Sequence, residues 1–284
     1  MSMLDIRHDE HAQRFEARVD GLICEIDYLR EGEQLIITHT GTDPALRGRG
    51  LAAQMVERVL AWLAPQGVQL VPACSYVQTY LARHSHWQRL CEPAAVQAVL
   101  NFWFGPLGST EDGQVRSVWF QKNEAFDAEI AARFGATLQS AQHDGLRTWQ
   151  ATPLGRLARI VVLDQFSRNA FRGQAAAFAG DALALQQALD LLDSKAYAGL
   201  SSLQRWFVLM PLEHAEDLAL QHRCVQEFES LAASDPRLAS PLDYARRHLD
   251  VIARFGRFPH RNAVLGRTST AAEQDYLAQP GAGF

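Results

Sequence analysis

Asp43-Pro44-Ala45-Leu46-Arg47-Gly48-Arg49-Gly50-Leu51-Ala52 lies between an apolar run ending at Thr38-His39-Thr40 and a helix-like segment that continues to about Leu63. Glycine and arginine at this junction bring bare backbone N–H groups to the start of a helix. There the uncapped amides and the positive end of the helix dipole can hold an anion. At this point the anion is open: the pyrophosphate of an acyl-CoA, that of another nucleotide, or none.

Upstream of the cradle the period is two. Phe15, Ala17 and Val19 alternate with charged residues, Asp20-Gly21 marks a hairpin turn, and Leu22 to Tyr28 and Gln34 to Thr40 read as two further strands. Downstream, Leu51, Met55, Val59 and Trp62-Leu63 recur at helical spacing, with Gln54, Glu57 and Arg58 assigned to the opposite face. Val68 to Val71 then forms a short strand stopped by Pro72, and Ser75 is the expected cap of a helix carrying Tyr76, Val77, Tyr80 and Leu81. This is an α/β domain.

Near Cys91-Glu92-Pro93 alternation gives way to helical periodicity, which places the domain boundary there: residues 1–91, then 92–284. Helices are expected over 94–104, 115–134, 154–166, 181–192, 203–209, 212–231, 242–255 and 271–277, with loops rich in Gly, Pro, Ser and Asp between them. The chain has 284 residues, 48% of them hydrophobic, enough for two cores. A net charge of -5 argues against a general nucleic-acid binder. Four scattered cysteines, a charged start at Met1 to Glu10 and no long apolar run point to a reducing, cytoplasmic setting without membrane contact.

Arg47, Gly50 and Ala52 make the pattern Arg-x-x-Gly-x-Ala between a strand and an amphipathic helix. In this the chain resembles the Gcn5-related N-acetyltransferases. It is most similar to a branch of minimal acetyltransferase-like domains, through His39, Pro44 to Ala52, Val71 to Val77, Tyr80, His84 and Trp87. The resemblance covers roughly residues 10 to 91 and implies the acyl-CoA N-acyltransferase fold, with acetyl-CoA as cofactor and an amine, on a small molecule or a protein, as acceptor.

It further implies that Leu46, Arg47, Gly48, Arg49, Gly50, Leu51 and Ala52 hold the cofactor's pyrophosphate. Catalysis needs an oxyanion-stabilising N–H and an acid for the leaving thiolate. Tyr80 is the candidate acid, with Tyr76 competing. Cys74 is either a nucleophile at a helix N-terminus or a small buried hydrophobe. His39 either relays a proton from the amine or is a strand histidine satisfied by backbone. No acidic general base stands out. The alternative function is an acyl-CoA sensor, or a vestigial module, on a helical interaction scaffold.

In the helical part three blocks put charge beside aromatics: Leu163 to Gly173, Met210 to Asp217 and Arg254 to Asn262. Pro211 suits a first helical turn, so Glu213 and Asp217 would share one face of the helix that follows. The arrangement of a zinc protease is absent, and no metal site is expected. These blocks resemble the DUF924 family of bacterial proteins of unknown function over about Ala94 to Phe284, which implies an all-α, tetratricopeptide-like array. Asp164, Arg168, Asn169, Arg172, Glu213, His214, Arg257, His260, Arg261 and Asn262 are expected to build a polar pocket for a small anionic ligand or an acidic peptide. Otherwise they form a buried ion-pair network.

Overall fold

Asp20 and Gly21 both take left-handed φ, 54° and 79°, so the hairpin turn twists with its strands and pins Val19 opposite Leu22. The computed structural model describes residues 4–283, so the expectations for Met1 to Met3 lie outside the described residues. From the hairpin the sheet builds outward as β1 (Ile6–Asp9), β2 (Arg14–Val19), β3 (Leu22–Glu31), β4 (Gln34–Thr42) and β5 (Gln69–Pro72), in that spatial order. The first four run antiparallel and β5 joins β4 in parallel. β1 is absent from the sequence reading, because Arg7, His8 and Asp9 mask its alternation.

One face of the sheet carries Phe15, Ala17, Cys24, Ile26, Tyr28, Leu35 and Ile37, all buried. Against it packs α1 (Leu51–Leu63), through Met55, Val56, Val59, Leu60 and Leu63. Gly67 ends this crossover in a left-handed turn, and α2 (Ser75–Arg83) follows β5. The N-cap of α2 is Cys74 rather than Ser75, since the chain is still extended at Cys74. α3 (Ala94–Phe104) is helical over the expected range and docks on this sheet domain. Its buried Gln97 offers Nε2 to the carbonyls of Val68, Leu90 and Glu92, at 3.0, 3.2 and 2.7 Å. The two compact units of the chain accordingly part between Gln114 and Val115.

The second unit is helical: α4 (Glu124–Gln142), α5 (Pro153–Ile160), α6 (Ser167–Ala170), α7 (Asp181–Leu192), α8 (Ser202–Glu213), α9 (Leu218–Ser234), α10 (Ala239–Phe255) and α11 (Ala271–Leu277). From α7 to α10 each helix packs on its successor. α4 starts later than expected because Asn123 caps it, accepting from Phe126 N at 3.1 Å. Between α5 and α6 the segment Val161–Phe166 is a π-helix, a wide turn common at functional sites.

Pro211 lies in the last turn of α8, not the first turn of a new helix. The chain breaks after Glu213, and Asp217 caps α9 by accepting from Leu220 N at 3.0 Å. Glu213 and Asp217 therefore do not share a helical face. An aspartate cap competes well with a proline as a start signal, and here it wins.

Candidate functional site

The turn Pro44–Leu46 is held by Asp43, whose side chain accepts from Ala45 N at 2.9 Å, while the Leu46 side chain is buried beneath it. Gly48 and Gly50 then adopt φ of 77° and 73°, which a residue with a Cβ takes only at a cost of about 1–2 kcal/mol. Gly50 is the N-cap of α1 and offers no side chain to its first turn. The amides at the start of α1 are thus left for a ligand, with the helix dipole behind them. Arg47 is exposed beside them; Arg49 pairs with Asp20 of the hairpin at 2.7 Å.

This loop forms one wall of a cleft of about 860 Å³. Ile23, Glu25, His39, Thr40, Gly41 and Tyr76 contribute to the rest of its lining. The cleft has room because β5 pairs with β4 only as far as Ile37 and Pro72. Beyond that point the chain turns into α2, and residues 39–42 of β4 line the opening. The β3–β4 register shifts between Asp27 and Tyr28, leaving Thr38 unmatched. Asp27 stands opposite His39 and Glu25 opposite Gly41, so all four share one face. Arg14 spans the two acids, at 2.6 Å from Asp27 and 2.8 Å from Glu25.

Tyr80, the acid named from sequence, is buried, and its hydroxyl donates to the Glu57 carboxylate, which also accepts from Trp87 Nε1 at 3.0 Å. Burial, then the bond to Glu57, raises its pKa. Glu57 faces this pair rather than solvent, against expectation. Tyr76 is the tyrosine at the cleft, 41% exposed. Cys74 caps α2, with its sulfur 3.6 Å from Thr40 Oγ1. Burial would raise the thiol, but the Thr40 hydroxyl and the amides of Val77 and Tyr76 outweigh it, and the pKa falls.

In the helical unit the three blocks meet only in part. Asp164, in the π-turn, is fully buried; its carboxylate accepts from His214 Nδ1 at 2.7 Å and Gln165 Nε2 at 2.5 Å and pairs with Arg168 Nη1 at 3.1 Å, while its backbone carbonyl accepts from the same Nη1 at 2.8 Å. Burial alone would raise it; Arg168 and His214 hold it well below the usual carboxylate range. Arg168 also grips Asp181 with both Nη atoms, at 2.8 and 3.0 Å. Arg261 donates to the His214 carbonyl at 3.0 Å and lies over the rings of Phe258 and Phe178. Glu213 sits 3.0 Å from His248 Nδ1.

Asn169 and Arg172 instead bind Asp127, and Arg257 and Asn262 bind Glu273. These four stand in two satellite networks. Asp181 and His248 join the central cluster from outside the three blocks, and Gln165 joins it from within the first block without having been named as a pocket residue. Only the helix packing brings them in.

The cluster makes stability depend on pH. Burial, then Asp164, pushes Glu213 from 4.5 to about 8, while burial, with Arg261 and His214 nearby, pulls His248 to about 3 and His260 to about 4 from 6.5. Below pH 6.5 the unfolded chain binds protons that the two folded imidazoles refuse, so stability rises with pH and outweighs the opposite slope of Glu213. Above pH 6.5 only Glu213 still acts, and stability falls until pH 8, by about 2 kcal/mol. Denaturant midpoints are expected to peak near pH 6.5, and Glu213→Gln to remove the alkaline fall.

Residues 99–281 match the family model of a bacterial protein of unknown function, DUF924. Residues 14–90 match the model of the GCN5-related N-acetyl-transferases. The solved structure of a protein of unknown function, ATU0120 from Agrobacterium tumefaciens, is 34% identical; the match covers 65% of this chain and 97% of that one, with a TM-score of 0.58. No curated protein matches the chain. Among the described residues no helix is long and apolar enough to cross a membrane.

Proposed function

We propose that this chain, which belongs to the DUF924 family and carries a Gcn5-related N-acetyltransferase domain ahead of the helical region, moves an acetyl group from acetyl-CoA to an amine. The reading rests on one observation: a single cleft has uncapped helix amides at one wall and ionisable side chains at another. Residues 1–91 are proposed as the catalytic module. Acetyl-CoA, when bound, supplies the thioester carbonyl.

The first-turn amides of α1 and the glycine-rich loop from Leu46 to Ala52 hold the pyrophosphate, and Arg47 adds charge. His39 faces the acceptor. Tyr76 takes over from Tyr80 as donor to the departing thiolate. Cys74, a lowered thiol at a helix start, supports a two-step variant. In that variant its thiolate attacks the thioester, CoA leaves, and the amine then attacks the cysteine thioester, returning the sulfur.

Mixing the protein with acetyl-CoA and a panel of amines while following free thiol tests the reading. Amine-dependent release is the expected result. A burst of thiol without amine, lost in Cys74→Ser, would select the two-step route. Tight CoA binding without turnover would favour the acyl-CoA sensor on a helical scaffold, and no CoA binding would end both. Arg47→Ala is expected to weaken CoA about 3- to 10-fold by calorimetry, an effect that shrinks as salt is raised.

For the helical unit the reading is an oxyanion or acidic-peptide site at Asp164, Arg168, His214, His260 and Arg261. It is favoured by one observation: Arg261 Nε is buried without a hydrogen-bond partner, so a bound anion would satisfy it. The successive packing of α7 to α10 supports a tetratricopeptide-like array around it. A phosphate titration followed by thermal shift tests the site; an unchanged melting temperature would reduce the cluster to an ion-pair network.

A further inference from the structure

A guanidinium has one edge, Nε with Nη2, that fits both oxygens of a carboxylate at once. Three arginines of this chain use that edge on an acid. Arg14 holds Asp27 with it at 2.6 and 3.2 Å, Arg172 holds Asp127 at 2.8 and 3.0 Å, and Arg257 holds Glu273 at 2.7 and 2.9 Å. Arg261 does not. Its Nη1 donates to the His214 carbonyl at 3.0 Å, while Nε is enclosed without a partner and no described residue accepts from Nη2. Only 6% of Arg261 is exposed, so bulk water does not solvate that edge as it would on a surface.

Every acid of the central cluster near Arg261 is already committed elsewhere. Asp181, whose Oδ2 stands 3.7 Å from Arg261 Nη1, gives both oxygens to Arg168. Glu216 gives both to Arg267, at 2.6 and 2.9 Å, and one of them also to Phe258 N at 2.8 Å. Asp164 is taken by His214, Gln165 and Arg168. Arg261 is thus a buried positive charge without a short ion pair, a state that costs free energy until an anion pairs with it. The rings of Phe258 and Phe178, 4.4 and 5.0 Å from its guanidinium carbon, hold the plane of the fork.

We propose that the Nε/Nη2 edge of Arg261 is the receptor for a carboxylate, and that the ligand is a small organic acid bringing one negative charge to that point. This deepens the oxyanion-site reading of the helical unit and rests on it. Two coplanar oxygens complete the fork, and one charge matches the one cation that lacks a short pair. A dianion would add a second negative charge beside Asp164, Asp181 and Glu216, and like charges at such range are penalised. The slight exposure of Arg261 favours a small acid over a peptide side chain.

Thermal melts at about pH 7.5, where phosphate is mainly a dianion, test the inference. Sodium acetate, sodium phosphate and a capped triglutamate peptide each replace sodium chloride at constant ionic strength. The readout is the part of each shift that Arg261→Lys removes, which sets aside anions held elsewhere on the chain; Arg261→Gln serves in its place if the lysine variant does not fold. Acetate should raise the melting temperature of the unsubstituted protein saturably, with an apparent Kd at least about fivefold below that of phosphate. Arg261→Lys keeps the charge but loses the fork, and should weaken the acetate response about tenfold. Arg172→Lys, whose own fork is filled by Asp127, should leave it unchanged. Phosphate binding as tightly as acetate, or the peptide binding more tightly per carboxylate, would overturn the small-acid inference while leaving an oxyanion site. No Arg261-dependent shift with any of the three would end the oxyanion-site reading itself.

Discussion

Replacing Asp164 by alanine is expected to destabilise the helical unit by about 3–5 kcal/mol, the range for removing one partner of a buried charged network. The carboxylate is wholly buried in the π-turn, takes hydrogen bonds from Gln165 and His214 and pairs with Arg168. Without it, His214 Nδ1 loses its acceptor, and Arg168 keeps the Asp181 carboxylate and the backbone carbonyl of residue 164. Arg168 and Arg261, the latter 3.7 Å from Asp181 at its nearest, would then share that one acid. Glu129→Ala is the control. That carboxylate also binds a guanidinium, but Arg133 is 50% exposed, so its loss should cost about 1 kcal/mol or less. Chemical denaturation of both variants decides the matter; a cost below about 1 kcal/mol for Asp164→Ala would show the cluster to be loosely held.

Much of the first unit was legible because its signals are local. Asp20-Gly21 and the alternation around it specify a hairpin, and Gly48 and Gly50 sit where the chain must turn left-handed before a helix. What was misread depended on facing. Val77, Tyr80 and Leu81 stand at i, i+3 and i+4 and make one buried stripe, so Tyr80 packs in the core while Tyr76 lines the cleft. Glu57 was assigned to solvent for the mirror reason. Glu25 could be found only through cross-strand register, which a bulge at Thr38 makes unreadable by counting from the turn.

In the helical unit the same limit appears at larger scale. Seven helices there could be sketched from periodicity, yet the ten named polar residues divide among three networks in the fold. Charge beside aromatics marks a helix end, and it says nothing of which distant end will face it. Pro211 shows the local version: a proline near a helix boundary is compatible with either side, and the Asp217 cap six residues further on, not the proline, sets where α9 begins.

Tyr76→Phe and Tyr80→Phe should separate catalysis from stability. Tyr76 lines the cleft and is substantially exposed, so losing its hydroxyl removes the proton for the thiolate and little packing. Its expected cost is about 100-fold in kcat, with CoA affinity and melting temperature nearly unchanged. Tyr80 makes its only named polar contact with Glu57, deep under α2. Deleting that hydroxyl leaves the Glu57 carboxylate with the Trp87 indole N–H as its remaining named donor, and should cost about 1.5–3 kcal/mol of stability, with kcat of the folded fraction unchanged. Thiol-release kinetics and thermal melts on the two variants read both axes. If Tyr80→Phe loses kcat while Tyr76→Phe does not, the acid lies where the family resemblance first put it, and the cleft has been entered from the wrong side.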